Sequence, residues 1–303
     1  MRKSILLLTL LVSFQGFSQQ DAIYSQYMYN QFVINPAYAG SRNSMSAVLM
    51  HRTRWMGIDG APTTSSLSVH SDLNKKNLAW GANFAADRLG PTTNVMAAIA
   101  GAYHLRLKKG KLAFGLRLGF FNSSINGAKL DFRDPTDNLN TGSRQSAMLP
   151  SVDFGLYYYT RKFYAGLSLN HMGGGTFNYS ELSDATINLR RYNTLGMGYA
   201  FDINDNLIIK PSFLLKQSQP LTGNLDVNLS ALLYETVWLG VSLRNTSTFN
   251  ILFEINATDY MRFGYSFDTF TNGLNNASNG AHEIFVGFDF SRDKSKKTSP
   301  RYL

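Results

Sequence analysis

From Phe249 to Asp268 the chain reads FNILFEINATDYMRFGYSFD. Phe249, Ile251, Phe253 and Ile255 take alternate places, with Asn250, Leu252, Glu254 and Asn256 between them. After Thr258-Asp259 the beat resumes: Met261, Phe263, Tyr265 and Phe267 alternate with Arg262, Gly264, Ser266 and Asp268. A period of two describes a strand with one apolar face and one polar or small face. Two such strands across a short polar turn make an antiparallel hairpin.

Working outward, the same beat recurs. It runs through Leu225, Val227, Leu229 and Ala231, then Val237, Leu239, Val241 and Leu243. Upstream it runs through Leu112, Phe114, Leu116 and Leu118, then Phe163, Ala165, Leu167 and Leu169. It closes with Ile284, Val286, Phe288 and Phe290. The opposite faces are short in side chain, with Gly, Ala, Ser and Asn recurring. A soluble β-sandwich also alternates, but small residues suit the crowded inside of a barrel whose bulk points to lipid. About fourteen strands are expected, over 44–55, 62–72, 78–88, 93–107, 111–123, 148–160, 162–172, 190–202, 206–217, 223–234, 236–245, 248–257, 260–269 and 281–290. The expected fold is all-β, a transmembrane antiparallel β-barrel.

Turn lengths point the same way. Connections after even-numbered strands are short, as at Asn74-Lys75-Lys76, Arg161, Asn204-Asp205, Glu235 and Thr258-Asp259. Those after odd-numbered strands are longer, notably Ser124 to Ala147, Met172 to Leu189 and Phe270 to Gly280. Outer-membrane barrels have short periplasmic turns and long outer loops, which predicts both chain ends in the periplasm. Aromatics at strand ends, Tyr157-Tyr158-Tyr159 and Phe120-Phe121, read either as interfacial girdles or as ordinary strand propensity.

Residues 1–18 have the three-part form of a signal peptide: Arg2 and Lys3, the apolar run Ile5 to Val12, then small residues at Gly16 and Ser18. Residues 19–43 form an N-terminal periplasmic or lumen segment, 44–290 the barrel, and 291–303 a basic periplasmic tail. Tyr24, Tyr27, Met28 and Gln31 have helical spacing, and Asn35-Pro36 breaks any helix. With Tyr38, these residues are expected to form a short helix plus turn that plugs the lumen or packs on the periplasmic rim, which would make a poor diffusion pore.

Charge and chemistry narrow the function. Of the formal +9, Arg2 and Lys3 supply +2 and the tail from Ser291 a net +4, leaving +3 for the body. The body carries no clustered basic face of the kind nucleic acid needs. Only 16% of residues are charged, against about 25% in an average soluble domain. No cysteine is present, which excludes thiolate metal sites, thiol catalysis and disulfides. His51, His70, His104, His171 and His282 show no metal-ligand spacing, and Gly173-Gly174-Gly175 lacks the Lys-Ser/Thr of a phosphate loop. No catalytic set, metal site or cofactor motif can be named. Arg117, Arg244 and Arg262 fall on the inward face with Asp153, Asp226, Glu254, Asp268 and Asp289. Balanced signs predict a paired lumen network that locks the plug; a selectivity-setting pore lining is the alternative.

Ser25-Gln26-Tyr27-Met28-Tyr29-Asn30, followed by Asn35-Pro36-Ala37-Tyr38-Ala39-Gly40-Ser41, resembles the opening of the PorP/SprF family of type IX secretion proteins. Arg54-Trp55-Met56-Gly57, Gly60-Ala61-Pro62, Asp87, Gly90-Pro91, Leu112-Ala113-Phe114-Gly115-Leu116 and His282-Glu283-Ile284 continue the resemblance in order. It implies an outer-membrane β-barrel of the Bacteroidota working in type IX secretion or gliding motility. The implied partners are a secreted cell-surface adhesin carrying a C-terminal secretion domain, and secretion-ring or peptidoglycan-binding components of the periplasm. A passive porin-like channel is the alternative function. Trp55, Gly57, Gly60, Pro62, Asp87, Gly90 and Pro91 fall in outer-side loops of the expected topology. They are candidates for a cap or docking face, although Gly and Pro are also what tight turns require.

Overall fold

The computed structural model describes residues 23–42, 44–73, 77–134, 142–179, 186–218, 222–271, 273 and 278–290. The expected signal segment 1–18 and basic tail 291–303 lie outside the described residues. The strands are β1 (Met45–Thr53), β2 (Thr63–Asp72), β3 (Leu78–Leu89), β4 (Thr92–Leu107), β5 (Gly110–Asn126), β6 (Arg144–Tyr159), β7 (Phe163–Asn170), β8 (Thr176–Asn178), β9 (Thr186–Asn188), β10 (Tyr192–Tyr199), β11 (Phe201–Asn204), β12 (Leu207–Ser218), β13 (Thr222–Leu233), β14 (Val237–Arg244), β15 (Thr248–Asn256), β16 (Met261–Phe270) and β17 (Ala281–Phe290). Chain neighbours pair antiparallel throughout the sheet, and β1 closes on β17 with Met45 opposite Phe290.

The barrel has fourteen staves, as expected. β10 and β11 are two halves of one stave, broken at Ala200, whose N–H carries the β7 ladder one residue further to Lys162 O at 2.7 Å. Beside the break, opposite Tyr199, β12 carries Pro211, which has no N–H to give. β8 and β9 form a separate hairpin within the connection 171–191.

The alternation is real in space. Leu49, Ile99, Phe120, Val227 and Ile251 stand exposed on the outside, while Ser68, Asn83, Ser151, Asn228 and Ser266 are buried inside. So broad an exposed apolar surface has no place on a water-soluble sheet and matches a lipid-facing band. Among the described residues no helix is long and apolar enough to cross a membrane; the strands cross it.

We call the rim where β1 begins and β17 ends the near rim, and the opposite one the far rim. Near-rim turns are short, as at 108–109 and 205–206. The far rim departs from the expected regular pattern. Its connections 127–143, 171–191 and 271–280 are long, but 90–91 and 245–247 are tight. β5 and β6 also extend beyond their expected ends, which shortens the loop between them. Asn245 and Thr246 both have positive φ, the primed turn that matches strand twist.

Only some of the strand-end aromatics face the lipid side, where an interfacial girdle would stand. Tyr157, Tyr159 and Phe121 point inward and are buried, leaving Tyr158 and Phe120 on the outer side. An inward tyrosine at these positions packs against the plug rather than marking an interface.

Candidate functional site

The lumen is filled by the chain's own N-terminal segment. Residues 23–42 enter at the far rim, where Tyr24 O accepts from Arg244 Nη2 at 3.2 Å. They leave at the near rim, where Gly40 N donates to His70 Nδ1 at 3.2 Å and Arg42 pairs with Asp289 at 2.9 Å. The first described residue, Ile23, lies at the far end of the lumen, away from Phe290 at the near rim; the chain ends themselves, expected on one rim, lie outside the described residues.

The expected helix is instead three single 3-10 turns, Tyr27–Tyr29, Gln31–Val33 and Pro36–Tyr38. Asn30 and Asn35, with extended φ, separate them, and Asn35 Oδ1 caps the last by accepting from Ala37 N at 2.9 Å. The spacing of Tyr24, Tyr27, Met28 and Gln31 predicts a helix, but it is not what sets the burial of this segment. The barrel encloses the segment on all sides, so Tyr27, Met28, Tyr29, Phe32, Ala37 and Tyr38 are all buried.

Two kinds of contact hold the plug. The first is close approach to glycine. A Cβ at Gly115 would strike the Pro36–Ala37 backbone, and one at Gly155 would strike Asn35. Asn35 Nδ2 crosses this notch to Leu156 O at 2.9 Å and Leu167 O at 3.3 Å. Tyr38 packs edge-on against His70 and Tyr157, at centroid distances of 5.5 and 5.3 Å.

The second kind is charged. Arg117 Nε pairs with Asp153 at 2.6 Å and donates through Nη1 to Phe32 O and Val33 O at 3.2 Å. Arg244 pairs with Asp226 at 2.8 Å, and Arg262 with Asp289 at 2.9 Å and Glu254 at 3.3 Å. Arg262 also reaches Tyr29 O at 3.5 Å. The expected inward charges are therefore paired and aimed at the plug, as a locking network requires. Arg42 belongs to the same set: burial opposes its charge, but Tyr38 and Asp289 beside it hold the guanidinium above its ordinary pKa.

Arg52 and Glu283 were not foreseen. Arg52 joins Asp268 at 2.5 Å, Glu283 at 3.0 Å and Ser25 Oγ at 2.7 Å. Glu283 also accepts from Ser25 N at 2.9 Å and Gln26 N at 2.8 Å, which anchors the far end of the plug. Inward-facing Val48 and Met50 had hidden the register of β1. His104, which shows no metal-ligand spacing, instead holds the plug's near end: its Nε2 meets Ala39 O at 2.8 Å and its Nδ1 meets Tyr159 Oη at 3.0 Å.

Most of the candidate cap residues do come together at the far rim. Met56 N donates to Gly280 O at 3.0 Å and Asn279 N to Met56 O at 2.8 Å, tying Trp55 and Gly57 to the last loop. On the other side Gly90 N donates to Gly60 O at 2.9 Å, and Arg54 N to Pro62 O at 2.9 Å. Pro91 O then receives Asn126 N at 3.0 Å. Gly57, Gly60 and Gly90 all have positive φ, so turn chemistry is part of their role. Trp55 has φ of 51° despite its bulk, and its Nε1 is buried with no hydrogen-bond partner. Met56, Gly57, Asp59 and Gly60 are exposed around it. Asp87 is the exception. It sits in β3, not in a loop, and its Oδ1 accepts from Thr64 Oγ1 at 2.5 Å inside the wall. Among the described residues no group of three or more His, Cys, Asp or Glu is placed to hold a metal ion.

The family described as "Type IX secretion system membrane protein PorP/SprF" matches residues 16–288. No curated protein matches the chain by sequence. Among solved structures, the Pseudomonas putida toluene transporter TodX is similar over 86% of this chain and 93% of its own, with 10% identity and a TM-score of 0.51. The CymD monoaromatic hydrocarbon channel is similar over 91% of this chain and 94% of its own, with 13% identity and a TM-score of 0.50. Identities this low establish a shared barrel fold alone. Family and fold together place the chain in the outer membrane.

Proposed function

The chain belongs to the PorP/SprF family of type IX secretion system membrane proteins, and from that premise we propose that it is a non-enzymatic docking barrel of the secretion or gliding apparatus. It holds a secreted adhesin, through the adhesin's C-terminal secretion domain, at the far rim during export or retention. The near rim faces the periplasm and meets secretion-ring or peptidoglycan-binding components. Residues 1–18 act as the export signal, and the source is a member of the Bacteroidota.

One observation supports this over passive transport. The lumen is occupied from rim to rim by residues 23–42, and each of four inward arginines, Arg52, Arg117, Arg244 and Arg262, hydrogen-bonds that segment directly. A channel lining leaves its charges to the solute, whereas here they are spent on closure. What the molecule offers outward is the knit cap around Trp55, Gly57, Gly60 and Gly90.

The test is genetic and biochemical. In cells lacking the barrel, the adhesin encoded beside it is expected to leave the surface, and wild-type barrel to restore it. A Trp55→Ala, Met56→Ser double variant that still folds is expected to restore it poorly and to lose adhesin in pull-downs. Unchanged adhesin display in the deletion strain would end the docking reading.

A further inference from the structure

Beside the break in the β10–β11 stave the outer wall carries a groove of about 700 Å³, lined almost wholly by apolar atoms. Tyr199 and Phe201 stand on one side of it and Leu225 and Val227 on the other, with Pro211 and Phe213 of β12 between them. The Tyr199 and Phe201 rings lie 4.5 Å apart, centre to centre, and make one continuous wall. Phe201 and Val227 are each about half exposed, so the groove opens on the lipid-facing side. At its near-rim end β7 starts at Phe163, opposite Tyr199, and β11 runs on past it, paired with β12 alone.

A flat lipid face is covered by any acyl chain alike, and lipid tails are as apolar as leucine, so hydrophobicity alone selects no occupant there. A chain lying in a groove touches protein on three sides and gains dispersion contacts that a flat wall does not offer. The choice among lipids then falls to the headgroup. Lys162 is already engaged by Asp202 at 2.8 Å. Arg161 stands exposed beside it, two residues from Phe163 at the groove's mouth, and Lys108 and Lys109 are exposed in the next near-rim turn on that side. On the other side the near-rim turns carry Asp205, Glu235 and Asp259. With cations toward β7 and carboxylates toward β13, the mouth favours an anionic headgroup that leans toward Arg161. The free edge of β11 offers a rival occupant, an added protein strand. That edge is four residues long, and Asp202 within it is tied to Lys162. Short, charged edges are how proteins resist strand addition.

We propose that this groove is a binding site for one anionic phospholipid of the leaflet at the near rim, with an acyl chain lying along β12 and the headgroup phosphate on Arg161. The proposed orientation fixes only which leaflet supplies the lipid; the docking reading is not involved.

Native mass spectrometry of the full-length barrel tests it, after purification in detergent, removal of lipid and titration with phosphatidylglycerol or with phosphatidylcholine of the same acyl chains. The wild-type barrel is expected to retain one phosphatidylglycerol and to prefer it about fivefold, the scale of one basic residue at a membrane surface. Arg161→Gln is expected to bind both lipids alike, and Arg161→Lys to keep the preference. Val227→Trp, which fills the groove from an exposed position, is expected to retain neither lipid, and Leu225→Trp serves the same purpose if Val227→Trp fails to fold. Ile251→Trp, on the lipid face away from the groove, is expected to bind as wild type does. The proposal is overturned by equal retention of the two lipids in wild type, or by a series of bound lipids that never saturates. A preference that survives Arg161→Gln, retention that survives filling of the groove, or a second polypeptide held in place of the lipid overturns it as well. None of these outcomes depends on adhesin display, so this site and the docking reading fail separately.

Discussion

Arg52 matters to this lumen because two fully buried carboxylates depend on it. Asp268 and Glu283 both lie within ion-pair distance of its guanidinium, and neither has access to solvent. Removing one partner from a buried pair strands the other, at a cost of about 3–5 kcal/mol. Arg52→Ala is therefore expected to lower sharply the temperature at which the barrel unfolds on heated gels, with Arg52→Lys recovering part of the loss. Lys162→Ala is the contrast: its pair with Asp202 is exposed on both sides, so no measurable change is expected. Glycine gives a second contrast. At Gly115 an added methyl meets plug backbone, which cannot swing aside, so Gly115→Ala should cost about 1–3 kcal/mol by overpacking. At Gly101 nothing lies within 4 Å, so Gly101→Ala should leave thermal unfolding in detergent unchanged. Alternation with Phe114 and Leu116 puts Gly115 on the inward face, whereas Ala100 and Ala102 beside Gly101 give the sequence no such contrast, and Gly101 turns outward. Arg117, Arg244 and Arg262 were legible because polar neighbours at two-residue spacing gave their face away. Arg52 was not, because its face carries Val48 and Met50, which pack on Tyr27, Met28 and Tyr29 of the plug.

The plug is the element that separates a docking barrel from a pore, and it was half legible. Its aromatic density and the break at Asn35-Pro36 showed an ordered segment outside the strand pattern. Its helical spacing misled, because amphipathic periodicity reports a segment with one wet face, and this segment has none. Its direction was hidden as well, since turn lengths order the strands but say nothing about what threads between them. Strand count, by contrast, was readable from the lipid face alone, where hydrocarbon imposes the same demand on every stave. The far-rim loops were less so: 90–91 and 245–247 are as tight as near-rim turns, and Asp87 consequently falls in a strand. Deleting residues 23–40 tests the element directly. The wild-type barrel is expected to show very low conductance in planar bilayers, and the deletion a stable large-conductance channel. Deletion also leaves Arg52, Arg117, Arg244 and Arg262 without their plug acceptors, so a lower unfolding temperature should accompany the opening. A deletion barrel that folds but still fails to conduct would show that closure comes from elsewhere, and the argument against passive transport would fall with it.

At the scale of the whole molecule the barrel is defined by which surface meets lipid and which rim meets the cell's exterior. The lipid face makes a simple demand: a charge placed there has no partner. Ile251 is 53% exposed and mid-strand on β15, so Ile251→Arg is expected to cost about 2–4 kcal/mol in refolding into bilayers, while Asp259→Arg, in a near-rim turn, should cost little. Orientation can be settled just as directly, because the chain has no cysteine to confuse a labelling experiment. In the proposed orientation the short near-rim turns lie in the periplasm, and the cap and residue 23 face the cell exterior. Asp59→Cys, exposed in the cap, is expected to react with a membrane-impermeant maleimide on intact cells. Lys109→Cys, exposed in a near-rim turn, is expected to react only after the envelope is opened. A third variant, Ile23→Cys, reads the plug's direction: with the segment threaded from far rim to near rim, reagent should approach it from the outside. If Lys109→Cys labelled on intact cells and Asp59→Cys did not, the barrel would stand the other way up. The cap would then face the periplasm, where an exported adhesin can be loaded but not displayed.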